Sequence, residues 1–208
     1  MIRVIEVGRK KMSRSGSREE EEDEGWASTI FKVAGAVAST AASNLYSILN
    51  NNRGHCHCHH HQEQVILKVD GSVLRKVPSA GCGGYLSSAS QNWICGFVQK
   101  LKFTPNLKEH ETEKEAILRG MRWVKQMGMR NVVVKSDCKN VVEFVNSGRR
   151  TNDRLICDIR NFLNCSHWQA TLTWIRRDEN KVADKLADEA HSFGCFSLHE
   201  FQNRSDIL

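Results

Sequence analysis

The apolar period of this chain changes partway along, and that change limits the folds open to it. Three β-rich runs come first, at residues 65–70, 81–86 and 93–101. Gly71 stops the first, and turn formers at 87–92 separate the second from the third, as a hairpin requires. From Glu111 the period becomes helical, with Ala116, Ile117, Met121, Val124 and Met127 on one stripe and Gly128 as the stop. Residues 131–136 return to strand, 139–145 and 153–162 read as helices, 168–175 alternate as a fifth strand, and 181–193 close as a helix. Hairpin-joined strands followed by strands reached over helical crossovers imply an α/β fold, a five-stranded mixed sheet with helices on both faces.

The rest of the chain is of another kind. Residues 1–28 read as a disordered charged tail with six consecutive acids, Glu19 to Glu24, a run that repels itself. Arg9, Lys10, Lys11 and Arg14 read equally as a nuclear import signal or as a solvated basic patch. Residues 29–49 carry an apolar stripe at helical spacing, and 50–64 form a His/Cys-rich linker in which His55 to His61 hold five histidines and two cysteines. No second Cys/His pair lies at zinc-finger distance, so adventitious metal binding is the default for that tract. Residues 195–208 read as a C-terminal tail. The net charge of +6 is concentrated in 65–194, where 21 basic residues face 14 acidic ones, a balance that permits a phosphate-bearing partner. No long apolar run suggests a membrane span, and no secretory signal is visible. The six cysteines after residue 64 are therefore expected to be reduced thiols in an intracellular protein, nuclear or cytoplasmic.

Four carboxylates stand out by position. Asp70 and Asp137 each end an apolar strand, in the matching runs Leu67-Lys68-Val69-Asp70 and Val134-Lys135-Ser136-Asp137, where open α/β sheets hold ligands. Glu113 precedes Ala116 and Ile117 by three and four residues, so it leans toward the buried side of its helix. Asp184 lies in the apolar stripe of the last helix. Each has a bland reading: a turn former, a helix N-terminal acid, a cap, a solvated side chain. Four acids meeting at one sheet end would repel, and divalent cations would remove the repulsion.

The motifs that carry these acids are Val69-Asp70-Gly71-Ser72, the strand from Gly81 to Tyr85, the helix from Thr112 to Gly120, Val134 to Asp137, and the run from Arg177 to Ala187. Together they resemble a plant-type ribonuclease H domain, of the kind related to reverse-transcriptase-associated domains, over about 130 residues. The resemblance implies the ribonuclease H-like fold and an endonuclease that cleaves the RNA strand of RNA–DNA hybrids. Its cofactor would be Mg²⁺, with Mn²⁺ substituting, as two ions about 4 Å apart on Asp70, Glu113, Asp137 and Asp184. Glu113 is chosen over Glu115 because Ala116 and Gly120 fit the family spacing from Glu113, and Glu115 falls about 200° away around the helix. Backbone near Gly71, Ser72 and Gly83 would approach the nucleic acid, with Asn180 and Arg177 also on the binding side. Arg176, Lys181 and Lys185 are further candidates for phosphate contacts.

In one place the sequence departs from the family pattern. Trp174 stands where active relatives often carry a histidine, ten residues before the last aspartate. That substitution sustains a second reading, a catalytically weak nucleic-acid-binding or adaptor protein reaching a protein partner through its N-terminal region. A monomer is expected in either case.

Overall fold

The computed structural model describes residues 3–5 and 63–206. The candidate helix at 29–49 and the His/Cys tract lie outside the described residues. Strands β1 (Arg3–Ile5), β2 (Val65–Leu74), β3 (Ser79–Ser88), β4 (Trp93–Leu101), β5 (Asn131–Ser136), β6 (Gln169–Trp174) and β7 (Leu198–Phe201) form one sheet in the order β1-β7-β4-β3-β2-β5-β6. The helices are α1 (Glu109–Gln126), α2 (Lys139–Asn146), α3 (Arg154–Leu163) and α4 (Lys181–Glu189). The β2-β3-β4 meander is antiparallel, while β5 and β6 run parallel to β2, as crossovers through α1 and α2–α3 demand.

The expected five strands are present, and two more extend the sheet. β7 pairs antiparallel with β4, and β1 pairs antiparallel with β7. β7 lies in the stretch expected to be a tail. It is recruited because His199 and Phe201, alternating with Leu198 and Glu200, are 2% and 4% exposed. β2 also runs further than expected, because pairing with β3 carries it through Gly71 to Leu74.

The glycines show how the two layers of helix reach the sheet. A methyl group at Gly71 would sit 2.4 Å from the carbonyl carbon of Thr112, so the start of α1 lies directly on that strand. One at Gly83 would sit 2.4 Å from the carbonyl carbon of Leu186 in α4. Asp70 pairs with Gly83 and so shares the α4 face, while Gly71 points to the α1 face. On the α1 side, Leu67, Val69, Phe97, Ile117 and Met121 are fully buried. On the α4 side, Val98, Leu186, Ala190 and Phe201 pack as one cluster.

Polar ties fix the helices to each other. Lys114 of α1, almost fully buried, donates to Asp153, which also accepts from the Ile156 N–H and so caps α3. Arg160 of α3 donates to the carbonyls of Phe144, Val145 and Arg149, closing the C-terminal end of α2. No helix among the described residues is long and apolar enough to cross a membrane. The six cysteines among them are free thiols.

Candidate active site

Strand register brings the first two acids level. β2 and β5 pair from Val65↔Val132 to Lys68↔Lys135, and the same offset continued two residues further sets Asp70 beside Asp137. Side chains alternate along both strands, so both acids face the α4 side. Asp70 therefore does not end β2, as expected, but stands where the parallel ladder with β5 gives out. Glu113 arrives from α1, which begins at Glu109 and so places it one turn into the helix. Oxygens of Asp70, Glu113 and Asp137 all lie within 4.8 Å of one another.

The surroundings hold these groups in place. The Gly71 N–H donates to the Glu113 carboxylate. Asn180, fully buried just before α4, donates its side-chain amide to the Val69 carbonyl at 3.0 Å and to oxygens of Asp70 and Asp137 at 3.4 Å each. Lys68 donates to the Glu179 carbonyl at 2.9 Å and so pins the turn before α4 to β2. Burial, then the charges of Glu113 and Asp137, push the Asp70 carboxyl up to about 10. Burial, then Asp137, push Glu113 up to about 8, against the pull of the Gly71 N–H. One Glu113 oxygen is buried with no hydrogen-bond partner among the described residues.

Such a cluster is costly without a cation. An orphaned carboxylate oxygen and two raised carboxyl groups facing a third acid are the donor set that hard divalent cations select. Asp184 stands apart from the three. It is 39% exposed, and its nearest ionic partner is Arg177, at 3.7 Å. It is nonetheless close enough to raise both Asp70 and Glu113 electrostatically.

Four residues expected to touch nucleic acid have other partners. Asn180 is buried and orients two carboxylates. Gly83 is covered by α4 and Gly71 by α1, so the room these glycines leave is filled by the protein's own helices. Ser72 donates to Asp188 at 2.6 Å and meets His191 at 3.0 Å, a tie between β2 and the end of α4. Arg177 is 83% exposed and open to a ligand. Glu115 pairs with Arg119 at 2.8 Å and takes no part in the cluster, as its position on the helix predicts. Trp174 is 45% exposed, and its indole N–H donates to the Asp137 carbonyl at 3.1 Å, beside the acids. Sequence reasoning missed the bracing by Asn180 and Lys68. The one signal available was that both lie within two residues of a motif acid or its helix.

Fold and site together define a ribonuclease H-like domain. Residues 68–190 match the reverse transcriptase-like family, and the chain belongs to it. Among solved structures, RNase H1 from the halophilic archaeon Halobacterium salinarum is 20% identical, with a TM-score of 0.54 over 61% of this chain and 96% of its own. The N-terminal RNase H domain of a Mycobacterium tuberculosis protein is also 20% identical, with a TM-score of 0.53 over 63% and 95%. LC11-RNase H1, solved in complex with an RNA/DNA hybrid, is 19% identical, with a TM-score of 0.53 over 62% and 96%. At these identities the likeness is one of fold. No curated protein is detectably similar in sequence.

Proposed function

We propose that this chain is a divalent-metal-dependent endonuclease that cleaves the RNA strand of RNA–DNA hybrids. The observation that carries the reading is the meeting of Asp70, Glu113 and Asp137 within 4.8 Å, in a pocket that pushes two of them toward protonation. The hybrid bound by a protein of the same fold, LC11-RNase H1, supports the choice of substrate. Asp70, Glu113 and Asp137 would hold Mg²⁺, or Mn²⁺ in its place, with Asp184 at the exposed rim. Bound there, such a cation would supply a more acidic water for attack on phosphorus and neutralisation of charge on the leaving oxygen.

The chain's own residues prepare that chemistry. Asn180 fixes the Asp70 and Asp137 carboxylates by donating to both. The Gly71 N–H turns Glu113 toward the cluster. Arg177 offers its guanidinium to the hybrid backbone, where it can meet a phosphate bidentately. RNA is distinguished from DNA by its 2′-hydroxyls.

The adaptor reading draws on Trp174, whose indole N–H is committed to the Asp137 carbonyl where a proton-transferring histidine would otherwise stand. One assay separates the two. An end-labelled RNA annealed to DNA is incubated with the full chain in Mg²⁺, in Mn²⁺ and in EDTA. Cleavage in either metal that EDTA abolishes supports the nuclease. Intact RNA under all three, with the hybrid still bound, supports the adaptor.

A further inference from the structure

On the α4 face, the end of the sheet nearer Val65 and Ser88 carries a cleft that the proposed chemistry does not use. Two hollows, of about 580 Å³ and 190 Å³, meet at Val182 and Arg204. Lys181, Lys185 and Arg204 line the larger, and Lys68, Tyr85 and Trp93 line the smaller with Arg204. Neither lining contains an acid. Lys181, Lys185 and Arg204 form no ion pair among the described residues, whereas the Lys68 ammonium is already bonded to the Glu179 carbonyl. Tyr85 and Trp93 stack with ring centroids 5.3 Å apart, and the Trp93 N–H is taken by the Gln202 carbonyl. Burial pushes the Tyr85 hydroxyl up, and the Arg204 charge pulls it back, while the Lys68 ammonium stands 5.9 Å from the centre of the Tyr85 ring.

The cleft shares β2 and the start of α4 with the acidic cluster. Lys181 follows Asn180, which bonds Asp70 and Asp137, and Lys68 precedes Asp70 by two residues on the same face of β2. Unpaired cations along a groove with aromatic rings at its end are the features that bind single-stranded nucleic acid: charge for the phosphates, a ring for a base.

We propose, resting on the nuclease reading, that this cleft holds a single-stranded extension of the hybrid. Its phosphates lie on Lys181, Lys185 and Arg204, and a base lies against Tyr85 and Trp93. An acidic peptide would match the charge, but it offers no base to the half-buried aromatic pair, which packs on its other side against Val98, Leu186, Ala190 and Phe201. The preferred substrate is then a junction, a hybrid with one strand running on unpaired, rather than a blunt duplex.

The test measures binding by fluorescence anisotropy in EDTA, so that no turnover is needed, with the full chain. The probes are a blunt hybrid, the same hybrid with a single-stranded DNA extension, the single strand alone, and a glutamate-rich peptide as competitor. The extension should tighten wild-type binding about tenfold. Arg204→Glu should remove most of that gain and lower affinity for the extended hybrid more than for the blunt one. Its salt dependence on the single strand should become shallower by roughly 0.7 for each phosphate that is no longer neutralised. Tyr85→Leu, which keeps an apolar side chain without the ring, should lose part of the gain as well. Equal affinity for blunt and extended hybrids overturns the proposal. So does an equal loss on both probes in Arg204→Glu, or a glutamate-rich peptide that competes as well as the single strand. A protein that prefers the extension yet cleaves nothing in Mg²⁺ or Mn²⁺ keeps the cleft and loses the nuclease. One that cleaves but ignores the extension does the reverse.

Discussion

The site is built at a cost to stability, and that cost is legible at Asp70. Its carboxyl has an ordinary value of 3.8 and is pushed to about 10, and Glu113 moves from 4.5 to about 8. In both, the folded state binds the proton more tightly than the unfolded state. Between pH 4 and the raised values, the folded protein therefore carries more protons, and stability falls as pH rises. In EDTA the melting temperature should decline from pH 5 to pH 8, and divalent cation should reverse much of that decline. Asp70→Asn keeps the volume and removes the carboxyl that must take up a proton on folding. It should raise the melting temperature in EDTA at pH 7 by roughly 2–4 °C, the shift that 1 kcal/mol gives a chain of this size, while abolishing cleavage. A variant that melts lower than wild type would show that Asp70 is a structural anchor. Trp174 supplies the second residue-scale expectation. Sequence alternation admits it as a core residue of the last parallel strand, yet it is 45% exposed. Trp174→His should therefore leave the melting temperature nearly unchanged and raise turnover, by at most the ~10²–10⁴-fold that a well-placed general acid or base contributes. An unchanged single-turnover rate would show that this position does not limit catalysis.

At the scale of elements, order and type were readable because periods of 2 and 3.6 alternate cleanly along 65–193. Element ends were not. Gly71 looks like a stop, but β3 pairs with β2 beyond it, and the glycine is needed because Thr112 of α1 crosses at a distance no side chain allows. Gly83 plays the same part under α4. Gly83→Ala should cost about 1–3 kcal/mol through overpacking, because the atoms in the way are Leu186 and Ala187 backbone. Chemical denaturation would read this as a lower midpoint, and an unchanged midpoint would mean that α4 can shift outward freely. Three of the four acids were legible by their place at strand ends and on the inner side of α1. The separation of Asp184 was not, because alternation along α4 cannot show how far its exposed edge stands from the sheet. Asn180 reads in sequence as a contact to nucleic acid, and only the packing of the turn at Arg177–Glu179 over β2 shows it buried against the acids.

For the whole described domain, the boundary lies further toward the C-terminus than the motifs suggest. Residues 65–194 contain every motif, yet β7 contributes Phe201 to the cluster under α4 and pairs with β4. It was missed because four residues with two polar members give too short an alternation to stand out from a tail. A chain ending at Gly194 should melt lower than one ending at Asp206, by far more than removal of residues 1–62 costs, since β1 adds only a three-residue edge strand. Thermal melts of the two truncations decide this. If loss of 1–62 proved the more damaging, the N-terminal third would belong to the core.

The central claim, that Asp70, Glu113 and Asp137 form a metal-dependent catalytic cluster, is tested most directly by hybrid cleavage with two variants of neighbouring glutamates. Glu113 holds a buried, unpartnered oxygen in the cluster, and Glu115, two residues further on, pairs with Arg119. Both substitutions to glutamine are nearly isosteric, so the comparison isolates the carboxylate charge. With Mg²⁺ or Mn²⁺ present, wild type and Glu115→Gln should cleave the RNA strand at similar rates. Glu113→Gln should lose activity by several orders of magnitude, and EDTA should silence all three. Full activity in Glu113→Gln, or an inactive Glu115→Gln beside it, would contradict the account.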